Sequence, residues 1–265
     1  MLVSDPDALI EDIAIAVTSQ LFTREANGLA IAHASLDAFA DGLDTKLAKG
    51  VDLRAKVTAF SLHVFGTLGF AGATEHYYDP RNSDLLSVLE RRQGIPISMA
   101  IVLMALGRRV GLLVQGVGFP GHFLVRVGGA DGFLVDPFTR GMLLDEPALE
   151  RLLRKQFGPR ATLRPEHFAL VDHSAIAQRL LANLYAIYNG RREHALAMVV
   201  ADRLFSLTDR VEHQRDRAIH ALALGASVGA TLDLKAYLAA RPDAGDAPQV
   251  RALLAGPRSK DFRAN

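Results

Sequence analysis

The spacing of apolar residues changes twice along this chain, and those two changes limit the folds open to it. From Asp7 to about Phe70 they recur three and four apart, as in Leu9, Ile10, Ile13, Val17 and Leu21, then Leu36, Phe39, Leu43 and Leu47. That spacing is one face of a helix. Asp5 before Pro6 predicts a helix start, because proline in a first turn sacrifices no needed N–H. Asp79-Pro80-Arg81-Asn82-Ser83 interrupts the pattern with turn residues. A helix over 84–91 follows, and Gly94-Ile95-Pro96 separates it from a strongly apolar helix over 97–110, closed by Gly111, with Leu103 facing the core.

Beyond Gly111 the pattern turns to strands, over 112–119, 122–127, 133–136 and a short 142–144. Pro120-Gly121 and Gly128-Gly129-Ala130-Asp131-Gly132 are turn clusters of the kind that close antiparallel hairpins. After Ser174 helical spacing returns, with one stripe of Leu180, Leu181, Leu184, Ile187 and Tyr188 and another of Ala195, Val199, Leu204 and Phe205, then helices over 212–224 and 232–240. Helix pairs at this scale predict a short repeat array, since no pair buries its face alone. The layout is α+β: a helical N-terminal region, a central helix on a small antiparallel sheet, and C-terminal helical repeats. Residues 1–173 are expected as one domain, 174–257 as the repeats, and 258–265 as a flexible polar tail.

The chain contains no cysteine, which removes disulfides, thiolate metal ligands and all thiol catalysis. Thirty basic residues face twenty-nine acidic ones, a balance that argues against a nucleic-acid partner. Arg91-Arg92 and Arg108-Arg109 read as solvated helix faces. The first twenty residues carry Asp5, Asp7, Glu11 and Asp12 without a basic leader region. The apolar run over 95–106 is too short to cross a bilayer. A cytoplasmic protein without membrane contact or cofactor is expected.

Two glycine motifs fail on context. Residues 116–121 match G-x-G-x-x-G by letter but run into a strand with Pro120 inside, where a dinucleotide site needs a helix start. Residues 225–229 match G-x-S-x-G but lie between helices, so no nucleophile elbow forms. Glu75-His76-Tyr77-Tyr78-Asp79 lacks metal-ligand spacing, and Asp79 reads as a turn cap. His213 and His220 share a helix face and read as solvated.

Ser98, His122 and Asp136 stand out. Ser98 lies in the first turn of the apolar helix, His122 opens a strand after a tight turn, and Asp136 ends the neighbouring strand. A hairpin would set the carboxylate beside the imidazole, and a nucleophile at a helix start completes a triad. The plainer assignments are a helix cap for Ser98, a turn for Asp136-Pro137 and an internal hydrogen bond for His122.

The runs Tyr77-Tyr78-Asp79-Pro80-Arg81-Asn82-Ser83, Arg92-Gln93-Gly94-Ile95-Pro96-Ile97-Ser98, Gly118-Phe119-Pro120-Gly121-His122-Phe123-Leu124-Val125-Arg126 and Asp136-Pro137-Phe138 resemble the SirB-type branch of the transglutaminase-like superfamily. The resemblance implies tetratricopeptide-like C-terminal helices. It also implies that His122 and Asp136 fill two places of a Cys-His-Asp acyl-transfer site whose cysteine would fall at Ile97 or Ser98. Tyr78, Asn82, Arg92 and Pro96, within the first two runs, are the expected ligand contacts. A helix N-terminus readily lowers a thiol from its pKa of about 8.5, whereas a serine hydroxyl needs proton removal by His122 and a built oxyanion hole. The expectation is therefore a non-catalytic scaffold that binds a protein or peptide through its C-terminal helices. The alternative is a serine-dependent hydrolase or acyl transferase using Ser98, His122 and Asp136.

Overall fold

The computed structural model describes residues 8–22, 27–43, 47 and 50–255. The expected helix start at Asp5-Pro6 and the tail over 258–265 lie outside the described residues. The chain forms two compact units, Met1–Asn183 and Leu184–Asn265.

The first unit opens with helices α1 (Ile10–Thr18), α2 (Gly28–Ala40) and α3 (Leu53–Ser61), the last continuing as a π-helix over Leu62–Thr67. A 3₁₀ turn at Pro80–Ser83 leads to α4 (Leu85–Arg91), whose N-cap Asp84 accepts from the Ser87 N–H at 2.9 Å. A two-residue parallel bridge, β1 (Ala71–Gly72) with β2 (Gln93–Gly94), brings the chain to α5 (Pro96–Arg109). Every residue of α5 from Ile97 to Leu103 is buried. A helix apolar on all sides needs cover on all sides, and α1, α2, α4 and the sheet supply it.

Gly111 ends α5 as its spacing predicts. It adopts φ +67°, which glycine accepts without a Cβ penalty. The Leu112 N–H reaches the Gly107 carbonyl at 2.8 Å and the Gly111 N–H the Arg108 carbonyl at 3.3 Å, a Schellman closure. Leu112 is thus taken up by the cap, so the first sheet strand starts later than its apolar run. The strands β3 (Val114–Val117), β4 (Leu124–Val127), β5 (Phe133–Asp136) and β6 (Met142–Leu144) form an antiparallel meander in that order. Val125 pairs with Val135 and Leu134 with Leu144. Alternation of side chains gives the sheet two apolar faces. One packs on α5. The other, with Val117, Leu124 and Leu144, packs on Leu149 and Leu153 of α6 (Glu146–Phe157).

Helix α7 (His173–Gly190) runs across the division between the units, which falls later than the change of pattern at Ser174. The second unit adds α8 (His194–Thr208), α9 (Val211–Ala223), α10 (Ser227–Ala240) and α11 (Ala247–Ala255). Its core includes Ala218, Ala221, Ala230, Leu234, Tyr237 and Val250.

Four expectations need correction. The buried stripe of α8 is Ala197, Val200, Ala201 and Leu204, with Ala195 exposed. Small alanines between close helices carry little hydropathy signal, so the larger side chains misled the phase. The sequence reading missed α11. Arg109 is not on a solvated face: its side chain is 9% exposed and binds Glu11 at 2.8 Å, Asp37 at 2.6 Å and His33 Nδ1 at 2.9 Å, whereas Arg108 stays exposed while reaching the Glu11 carboxylate at 2.6 Å. His220 is 2% exposed rather than solvated, with Nδ1 3.0 Å from His194 Nδ1 and Nε2 3.2 Å from the Tyr185 hydroxyl.

Candidate functional site

The start of α5 is built from the loop before it. Asp79 caps the 3₁₀ turn, accepting from the Arg81 N–H at 2.9 Å, as its place before Pro80 predicts. Asn82 is buried and acts as a hub. Its amide donates to the His76 and Tyr77 carbonyls, its side-chain oxygen accepts from Arg91 Nη2 at 2.9 Å, and its main-chain carbonyl accepts from Ser98 Oγ at 2.6 Å. Ser98 Oγ in turn accepts the Ile95 N–H at 3.1 Å. A hydroxyl has one proton to give, and here it is spent on main-chain oxygen. Ser98 is 1% exposed, in the third helical position after Pro96, which takes the first. A Cβ on Gly94 would stand 2.5 Å from Ser98 Oγ, so the loop closes this tightly only with glycine there.

His122 lies in the turn before β4 rather than in the strand. Its N–H bonds the Phe119 carbonyl at 2.9 Å, and β4 begins at Leu124. The Pro120-Gly121 turn has drawn the chain out of the ladder. The imidazole is half-buried, and burial lowers its pKa below the ordinary value. Asp136 pulls it upward, while Lys155 and Arg179 add to the lowering, so at neutral pH the ring is neutral. Asp136 ends β5 and is buried, with Oδ1 accepting the Phe138 N–H at 2.8 Å and the Thr139 N–H at 3.3 Å. Among the described residues no hydrogen bond joins Ser98 to His122 or His122 to Asp136. Imidazole and carboxylate are near enough to feel one another's charge, but the serine is turned into the fold.

Of the other four sequence-named residues, Tyr78 is 72% exposed and stacks edge-on against Tyr77 at 5.2 Å. Arg92 takes a left-handed conformation at the end of α4, with its guanidinium over the Phe39 ring. Pro96 and Asn82 hold the start of α5. Tyr78 and Arg92 are exposed, Pro96 is half-buried and Asn82 is buried.

Several residues near His122 escaped the sequence reading. Tyr77 packs edge-on against Phe138 at 5.9 Å. Arg179 of α7 sets its guanidinium over Phe123, 5.3 Å from the ring centroid, with Nη2 3.5 Å from the His122 carbonyl. Tyr77 and Arg179 influence each other's proton affinity. Nothing in the local pattern marks Arg179, an ordinary polar position on a helix. A cavity of about 280 Å³ opens nearby, lined by Pro120, Leu153, Phe157 and His167 among others.

A buried central helix packed on a small antiparallel sheet, with a histidine in the turn before one strand and an aspartate ending the next, is a transglutaminase-like arrangement. The family model described as "Transglutaminase-like superfamily" matches residues 31–182, and the chain belongs to that superfamily, in its SirB-type branch. A UPF0162 protein of Xylella fastidiosa (strain Temecula1) is 40% identical over 207 residues, covering 75% of this chain and 73% of that protein. Protein SirB1 of Salmonella typhimurium is 28% identical over 196 residues, covering 72% of this chain and 71% of SirB1. Human F-box only protein 21 is 30% identical over 199 residues, spanning 71% of this chain but 30% of the human protein.

Proposed function

We propose that the protein is a non-catalytic member of its superfamily, a cytoplasmic scaffold that binds a protein or peptide, with tetratricopeptide-like C-terminal helices carrying the partner. The observation that supports this most directly is the Ser98 hydroxyl. Its proton is committed to the Asn82 carbonyl and the chain holds no cysteine, so His122 and Asp136 have no nucleophile to activate. The binding half of the reading draws on α10, where Val228 is 80% exposed and Leu232, one turn on, 65%. Large apolar side chains adjacent on one helix face suit contact with another protein. Among the described residues no helix is long and apolar enough to cross a membrane.

Two measurements test the proposal. A serine-directed phosphonate, read by intact mass, should leave the protein unmodified; an adduct that disappears in Ser98→Ala would establish catalysis instead. Partners captured by the full chain from a cell extract should be lost when Val228 and Leu232 are both replaced by Asp, which solvent-facing positions tolerate. The same partners on the double variant would place binding elsewhere.

A further inference from the structure

We propose that Arg179, with His122 and Lys155 beside it, forms a subsite for a carboxylate, either the C-terminus or an acidic side chain of a bound peptide. The proposal rests on the non-catalytic reading and deepens it. Arg179 makes no ion pair among the described residues; its contacts are the Phe123 ring and a long approach to the His122 carbonyl. That contrasts with Arg109, Arg215 and Arg217, each of which holds two carboxylates. A guanidinium stacked on an aromatic face is oriented without being neutralised, and its planar fork remains free to take a carboxylate by two parallel N–H bonds. Lys155 of α6 likewise makes no ion pair among the described residues and lies close enough for its charge to act on His122.

The charges around His122 come from three elements: Asp136 at the end of β5, Lys155 on α6 and Arg179 on α7. Asp136 is the only anion among them, and it is buried with Oδ1 already accepting two main-chain N–H groups. The accessible side of the cluster is therefore cationic. Tyr77, close enough to Arg179 to feel its charge, packs against Phe138, so a carboxylate attached to an aromatic or other apolar group suits the cluster.

N-acetylphenylalanine and its amide are suitable probes, differing only in the charge. Binding is read by NMR of the His122 imidazole in the full chain and by calorimetry. The acid should shift the His122 signals and bind at least about tenfold more tightly than the amide, the scale of one charged hydrogen-bonded contact. Arg179→Gln should remove the discrimination, Arg179→Lys should retain part of it, and added salt should weaken it. Equal binding of acid and amide, no binding of either to the wild-type protein, or undiminished discrimination in Arg179→Gln would each overturn the proposal. The acid–amide comparison is made in the wild-type protein and so does not depend on a variant folding. Release of ammonia from the amide would instead overturn the non-catalytic reading, so the two failures are distinguishable.

Discussion

Ser98 Oγ and the main-chain carbonyl of Asn82 share a 2.6 Å hydrogen bond that ties the start of the central helix to the loop before it. Ser98→Ala removes this bond and the one from the Ile95 N–H, leaving both main-chain groups buried without those partners. The expected cost is about 1–3 kcal/mol, read as a lower urea midpoint with an unchanged slope. Ser98→Cys should give a thiol that stays unreactive toward a disulfide reagent until the protein unfolds, because position 98 points into the fold. Rapid labelling of the native variant would show that the side chain faces an open site.

Gly94→Ala tests the same junction from the other side. The new methyl would stand 2.5 Å from Ser98 Oγ, 3.2 Å from Val88 Cγ1 and 3.3 Å from Met99 Cγ. All are buried and cannot step aside, so overpacking of about 1–3 kcal/mol is expected. Thermal unfolding checks it. In Ser98→Ala the clash with the hydroxyl disappears, and Gly94→Ala should cost less in that background.

Glu11 supplies a larger effect. Its carboxylate, 1% exposed, is held by Arg108 and Arg109. Burial raises its pKa, but the two guanidiniums outweigh burial and hold it below the ordinary value. A depressed folded pKa contributes stability above the unfolded glutamate value of about 4.3, lost as pH falls through the folded value. Glu11→Gln should cost about 3 kcal/mol at neutral pH, the low end for breaking a buried pair, because Arg109 keeps Asp37. It should also flatten the stability profile in acid. An unchanged acid limb would mean that other carboxylates govern acid unfolding.

The His194–His220 pair predicts a second, milder pH effect. Of two imidazoles 3.0 Å apart, one must donate and the other accept, so the contact fails when both are protonated. Burial first, and then His194, lower the His220 pKa. Stability should therefore fall as pH drops below about 6.5, the unfolded histidine value, toward the lower folded one. His220→Leu should remove part of that slope between neutral and mildly acidic pH. Part should remain, since His122 and His213 are shifted the same way. Melting temperatures across this range measure it.

Much of the fold was legible because its signals are local. The change of period at Gly111, the Asp79 cap and the strands at 133–136 and 142–144 each need only neighbouring residues to be recognised. The candidate site was legible in part. His122 and Asp136 come near one another because a hairpin leaves little choice, yet the same local information could not tell whether Ser98 faced them or the Asn82 carbonyl. Arg109 was misread for a related reason, since its partner Glu11 is almost a hundred positions away.

The amino-acid order alone decided the α+β layout, the absence of any thiol and the near-neutral charge. Periodicity, composition and turn chemistry are properties of short segments and survive without knowledge of packing. Tertiary structure alone decided where each polar side chain spends its hydrogen bonds: Ser98 on Asn82, Glu11 on two arginines, His220 on His194, and Arg179 on an aromatic ring rather than a carboxylate. Those choices follow from the cost of leaving a buried donor or charge unpaired, a cost that applies only once distant elements have packed and water has been excluded.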